Sequence, residues 1–108
     1  MDTLSLEVRK AVQAFLSAVR EELPVDAAYV FGSAARGEAR EDSDLDVAVV
    51  STAFRGMRRV DTIALLLAKT RGLGVDLQPV GLAPEDLTDV DDAVARTVAS
   101  DGIEVPVS

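Results

Sequence analysis

The chain reads as a small α/β domain of the α+β kind, a mixed β-sheet with helices packed mainly on one face. Three observations lead there. Segments with helical spacing alternate with short β-branched runs, in the order α-β-(α)-β-α-β-α. A length of 108 residues suits one core and one domain, 1–108. No internal repeat or low-complexity tract interrupts the alternation.

Residues 2–23 predict an amphipathic helix, because Leu4, Val8, Ala11, Val12, Phe15, Leu16, Val19 and Leu23 recur at three- and four-residue spacing. Pro24 ends it. Residues 27–31 form an apolar strand running into Gly32, and residues 33–36 start a short helical turn. A charged loop at 38–42 leads to the clearest strand, 44–50. There Leu45, Val47 and Val49 share one face, while Asp44, Asp46 and Ala48 share the other. Residues 57–70 predict a helix that buries Val60, Ile63, Ala64, Leu67 and Ala68, with Gly72 at its C-terminal end. Residues 75–80 predict a third strand, at an edge or a strand end because Pro79 has no N–H to donate. After Pro84 come a helical turn, a helix over 90–100 lined by Val90, Ala93, Val94, Thr97 and Val98, and an edge strand within 103–107.

The missing residue types narrow the chemistry. There is no cysteine and no histidine, so thiolate or imidazole metal sites, cysteine nucleophiles and Ser-His-Asp triads are all excluded. Proton transfer near neutrality falls to carboxylates, with Lys69 and Tyr29 as the remaining candidates. Any metal must be a hard ion held by oxygen. A net charge of −8 argues against direct nucleic-acid binding. Without an apolar run of about 18 residues, or the layout of a signal peptide, the expected setting is cytoplasmic, away from membranes. Arg55, Arg58 and Arg59, with Arg36 and Arg40, supply five of the eleven basic residues. They are either cations beside a polyanion site or a solvated helix start and loop.

The chemistry concentrates in Phe31-Gly32-Ser33-Ala34-Ala35-Arg36-Gly37 and the Ser43-Asp44-Leu45-Asp46 that follows. The first is a small-residue turn where a phosphate can approach the backbone. The second sets two carboxylates on one side of a strand. Two such charges about 4 Å apart repel by roughly 4 kcal/mol at an effective dielectric near 20, which a divalent cation would offset. Asp76, between Val75 and Leu77, either joins this pair from a neighbouring strand or lies on the exposed face of an edge strand. Competing motifs fail. A calcium loop starting at Asp42 would need glycine and glutamate where Val47 and Ala53 stand. No Gly-Lys-Ser/Thr follows the turn, and no dinucleotide glycine pattern is present.

Gly32-Ser33, ten residues, Asp44-Leu45-Asp46 and a later Asp76 within a Val-Asp-Leu strand together resemble the DNA polymerase β-like nucleotidyltransferase superfamily. Within it, the Gly-Ser-x-Ala-Arg-Gly form, the Ser-Asp-x-Asp and the closing Ala-Ser-Asp-Gly-Ile are similar to the minimal nucleotidyltransferases, MNT-type antitoxins paired with HEPN-domain ribonuclease toxins. The likeness runs from the first helix to Ile103.

That resemblance implies the polymerase β-like fold and a set of roles. Gly32 and Ser33 would hold the β- and γ-phosphates of a nucleoside triphosphate. Asp44, Asp46 and Asp76 would be the catalytic and metal-binding residues, holding two magnesium ions, with Asp76 also drawing the proton from the attacking hydroxyl. Arg36 either neutralises phosphate charge or pairs with a carboxylate and holds the turn. The implied activity is transfer of AMP from ATP to a tyrosine of a HEPN-type toxin. Two other functions stay open: an antitoxin that masks its partner without catalysis, and a stand-alone enzyme acting on a small molecule.

Overall fold

The computed structural model describes residues 4–32, 35 and 44–107. Helix α1 spans Leu6–Arg20 and is followed by strands β1 (Ala27–Phe31) and β2 (Leu45–Val50). Helix α2 (Arg59–Leu67), strand β3 (Leu77–Leu82), helix α3 (Ala93–Asp101) and strand β4 (Ile103–Val105) complete the order. Short 3-10 turns at Thr52–Phe54 and Pro84–Thr88 precede α2 and α3. The turn expected over 33–36 and the loop over 38–42 fall largely outside the described residues.

The four strands form one mixed sheet in the order β3-β2-β1-β4. β1 runs antiparallel to both β2 and β4, whereas β2 and β3 are parallel and joined through α2. Pro79 accordingly lies on an edge strand, as expected. Both faces of β2 are covered, so its run from Val47 to Val50 is buried throughout.

The main core lies under α1. Ser5 caps this helix by accepting a hydrogen bond from the Val8 N–H at 3.2 Å. Val12, Phe15, Leu16 and Val19 then bury one stripe against Val30, Val47, Val49 and Leu77. Each such side chain contributes about 1.5–3 kcal/mol when fully buried. A smaller cluster on the opposite face joins Ala48, Val50, Val80 and Leu82 to Val98 of α3. Asp92 caps α3 by accepting from the N–H groups of Val94 and Ala95. Among the described residues no helix is long and apolar enough to cross a membrane.

Helix α2 departs from the expected stripe. Val60 and Leu67 are 60% and 41% exposed, and Thr62 and Leu66 are buried instead. The cause is a close approach to the edge strand: the Gly81 N–H donates to the Thr62 hydroxyl, which donates in turn to the Arg59 carbonyl. A Cβ on Gly81 would come within 2.7 Å of both Phe54 and Thr62. Gly81→Ala is therefore expected to cost about 1–3 kcal/mol of unfolding free energy, read by urea titration. Val90, also expected to be covered, is 76% exposed, because α3 begins only at Ala93. Helix α2 ends at Leu67, which leaves Gly72 to the turn beyond it.

Arg55, Arg58 and Arg59 are engaged in ion pairs, while Arg36 and Arg40 lie outside the described residues. Arg55 pairs with Glu85, Arg58 with Asp61 and Arg59 with Asp92. All three follow the C-terminal end of β2, whereas Asp44 precedes its start. Lys69 pairs with Glu22 at 2.5 Å. The hydrogen bond from Arg59 holds the Asp92 carboxyl below its ordinary value, and the two capping N–H groups act in the same sense. A carboxyl lowered in the folded state stabilises above its unfolded value and loses that contribution as pH falls through the folded one. Asp92→Ala is expected to cost about 1 kcal/mol for the lost cap at pH 7. Asp92→Asn keeps the cap acceptor and should flatten the loss of stability below about pH 4 in acid-unfolding curves.

Candidate functional site

The registers of the sheet define its acidic end. Leu45 pairs with Leu77, and the Leu45 N–H also donates to the Asp76 carbonyl at 2.8 Å. The ladder thus continues one residue past each strand start and sets Asp44 beside Asp76. The next row across the same face holds Gln78, Asp46 and Phe31. Below it lie Val80, Ala48 and Tyr29, then Leu82, Val50 and Ala27. This face is apolar along most of its length and carboxylate-bearing where β2 and β3 begin and β1 ends.

Asp44 and Asp76, both exposed, stand in direct contact. A hydrogen bond shared with Asp76 holds the Asp44 carboxyl above its ordinary value, and the Asp76 charge and then burial push the same way. Asp44 therefore retains its proton more readily than an isolated carboxylate does, as a like charge at close range requires. Gln78 donates through Nε2 to Asp76 Oδ1 at 2.9 Å.

Asp46 takes a different position on this end. Gly32 follows β1 with φ +76°, a left-handed conformation that favours glycine. A Cβ there would lie 2.3 Å from Asp46 Oδ2. The Asp46 carboxylate thus occupies the space left by the absent side chain of Gly32. Among the described residues no three carboxylates are gathered into a single ready-made ion-binding group. The arrangement has two halves, Asp44 with Asp76 and Asp46 with Gly32. Ser33 and Arg36 lie outside the described residues.

Of the expected site residues, then, Asp44, Asp46, Asp76 and Gly32 share one end of the sheet. Gln78 was not singled out from the sequence. Its signal was available, since two residues beyond Asp76 in a strand is the same face. Tyr29 sits mid-sheet opposite Glu104, and burial, followed by the Glu104 charge, pushes its hydroxyl above the ordinary value. That leaves it further from acting as a base at neutral pH.

The fold matches solved structures at low identity. One is a protein of Sulfolobus solfataricus assigned to the nucleotidyltransferases, with 22% identity, a TM-score of 0.68, and coverage of 89% of this chain and 77% of the other. A second is a toxin-antitoxin protein crystallised with AMP-PNP, with 20% identity, a TM-score of 0.62, and coverage of 93% and 73%. A comparison with curated protein sequences finds no significant match. The sequence profile of the nucleotidyltransferase domain matches residues 12–100, most of the chain. On that match, together with the fold just described, the chain belongs to the nucleotidyltransferase domain family of transferase enzymes.

Proposed function

We propose that this protein transfers a nucleoside monophosphate, AMP from ATP, to a hydroxyl on a partner protein, with magnesium held at the acidic end of the sheet. The observation that carries this reading is the contact between Asp44 and Asp76 on the face that also presents Asp46 against Gly32. The structural neighbour crystallised with an ATP analogue is a toxin-antitoxin protein, which supports both the triphosphate and the partner. The acceptor is read as a tyrosine of a HEPN-type toxin, on the motif resemblance.

The donor set fits a hard divalent cation. All its groups are carboxylate oxygens, and the contact that raises the proton affinity of Asp44 is one that a cation would equally relieve. Asp44, Asp46 and Asp76 would hold the ions, Asp46 from the side of the glycine turn. Bound there, magnesium supplies charge neutralisation at the reacting phosphate and activation of the attacking oxygen.

The chain's own groups do the rest. Gly32 lets the Asp46 carboxylate close against the turn where a side chain would otherwise stand, so that an ion held by Asp46 would lie beside the phosphate-binding turn. On the motif resemblance, Ser33 would add its hydroxyl and amide to the β- and γ-phosphates. Asp76 accepts the proton of the acceptor hydroxyl as its oxygen bonds to the α-phosphorus. The bond from that phosphorus to the β-phosphate bridging oxygen breaks, and pyrophosphate leaves.

The test is to incubate the protein with ATP labelled at the α-phosphate, magnesium and the toxin encoded beside it. Label on the toxin, lost when its tyrosine becomes phenylalanine, is the expected result. Inhibition of the toxin without label would establish masking by contact alone. Label on a small molecule with no protein present would establish a stand-alone enzyme.

A further inference from the structure

We infer that Gln78 is a positioning residue that holds the Asp76 carboxylate in its working orientation. This deepens the proposed function and rests on it. Gln78 follows Asp76 by two residues on the same face of β3, and in register it is the partner of Asp46. It therefore lies on the row of Asp46, one row in from Asp44 and Asp76. Its carboxamide donates to Asp76 Oδ1 at 2.9 Å. The side chain is exposed and belongs to neither apolar cluster, so core packing does not account for its placement.

The chemistry of the donor matters. A carboxamide fixes one oxygen of Asp76 and limits rotation of the carboxylate, yet leaves its negative charge intact. Lysine or arginine at this position would fix Asp76 too, but would neutralise it and take the place of a cation. A neutral donor suits a carboxylate that must be both oriented and available to a metal ion. Partners that orient metal-binding side chains typically change metal affinity or activity by about 10- to 100-fold when removed.

The experiment titrates Mn2+ into the full chain and reads binding by electron paramagnetic resonance, beside steady-state transfer kinetics. Gln78→Met removes the donor at nearly the same length and should weaken Mn2+ binding about 10-fold. It should lower kcat by a similar factor, with KM for ATP within about two-fold of wild type, because the phosphate turn lies on the Asp46 side. Gln78→Lys should weaken Mn2+ further while melting no lower than wild type, an opposition that a purely structural role would not produce. Equal Mn2+ affinity in wild type and Gln78→Met, with Asp44→Asn still losing the ion, would overturn the role of Gln78 and leave the proposed function standing. A wild-type chain that takes up no Mn2+ would overturn both.

Discussion

Asp44→Asn is expected to lower nucleotidyl transfer by about 1,000-fold while the chain stays folded. The substitution keeps shape and volume but removes one of the charges on which the proposed ion site depends. Losing a single preorganised electrostatic group at a reacting centre commonly costs about 100- to 1,000-fold, and an ion ligand belongs at the upper end. The stability effect runs the other way. Contact with Asp76 holds the folded-state value of Asp44 above the ordinary 3.8. A carboxyl raised on folding stabilises at pH below its unfolded value, and that contribution disappears as pH rises through the folded value. At pH 7 the ionised pair repels, and asparagine relieves the repulsion. Without metal, Asp44→Asn should melt no lower than wild type at pH 7, and the difference should close as pH falls toward 3. Magnesium should raise the melting temperature of wild type more than that of the variant. Full transfer activity in Asp44→Asn would remove the basis of the ion assignment.

What the sequence made legible follows from which interactions are local. β1 was expected over the residues it occupies, and β2 within one residue, because alternating apolar positions between polar loops are a local signal. The helical turn after Pro84 and the short final strand were readable for the same reason. The buried side of α2 was not. Hydropathy favours Val60 over Thr62, yet Thr62 is inside because its hydroxyl meets the Gly81 N–H, a partner 19 residues away. The start of β3 shifted two residues beyond expectation, as its register is set by pairing with β2. Arg55 and Arg59 looked like free cations because their partners, Glu85 and Asp92, arrive from the far side of β3 in the chain. The acidic end was legible in part. The spacing of Asp44 and Asp46 announces a shared face, whereas the contact of Asp44 with Asp76 depends on the parallel register of two strands separated by α2.

Gly32→Ala should combine two losses that a second glycine separates. Gly32 and Gly56 both have positive φ, +76° and +78°. An L side chain in that conformation costs about 1–2 kcal/mol at either position. Their surroundings differ. A Cβ on Gly56 meets nothing within 4 Å, whereas on Gly32 it falls 2.3 Å from Asp46 Oδ2, far inside contact distance. Relief requires the Asp46 carboxylate to swing away or the turn to shift, and either change separates the proposed ion ligand from the proposed phosphate contact. Gly56→Ala should thus lose about 1–2 kcal/mol in urea titrations, and Gly32→Ala at least as much because it adds the contact with Asp46. Gly56→Ala should retain transfer activity at temperatures where it is folded. Gly32→Ala should lose about 100-fold or more and show a raised KM for ATP, since misplacing a reacting group by about 1 Å carries a penalty of that order. Equal activity in the two variants would mean that the close approach of Gly32 to Asp46 serves only the fold, and the phosphate turn would have to be sought elsewhere.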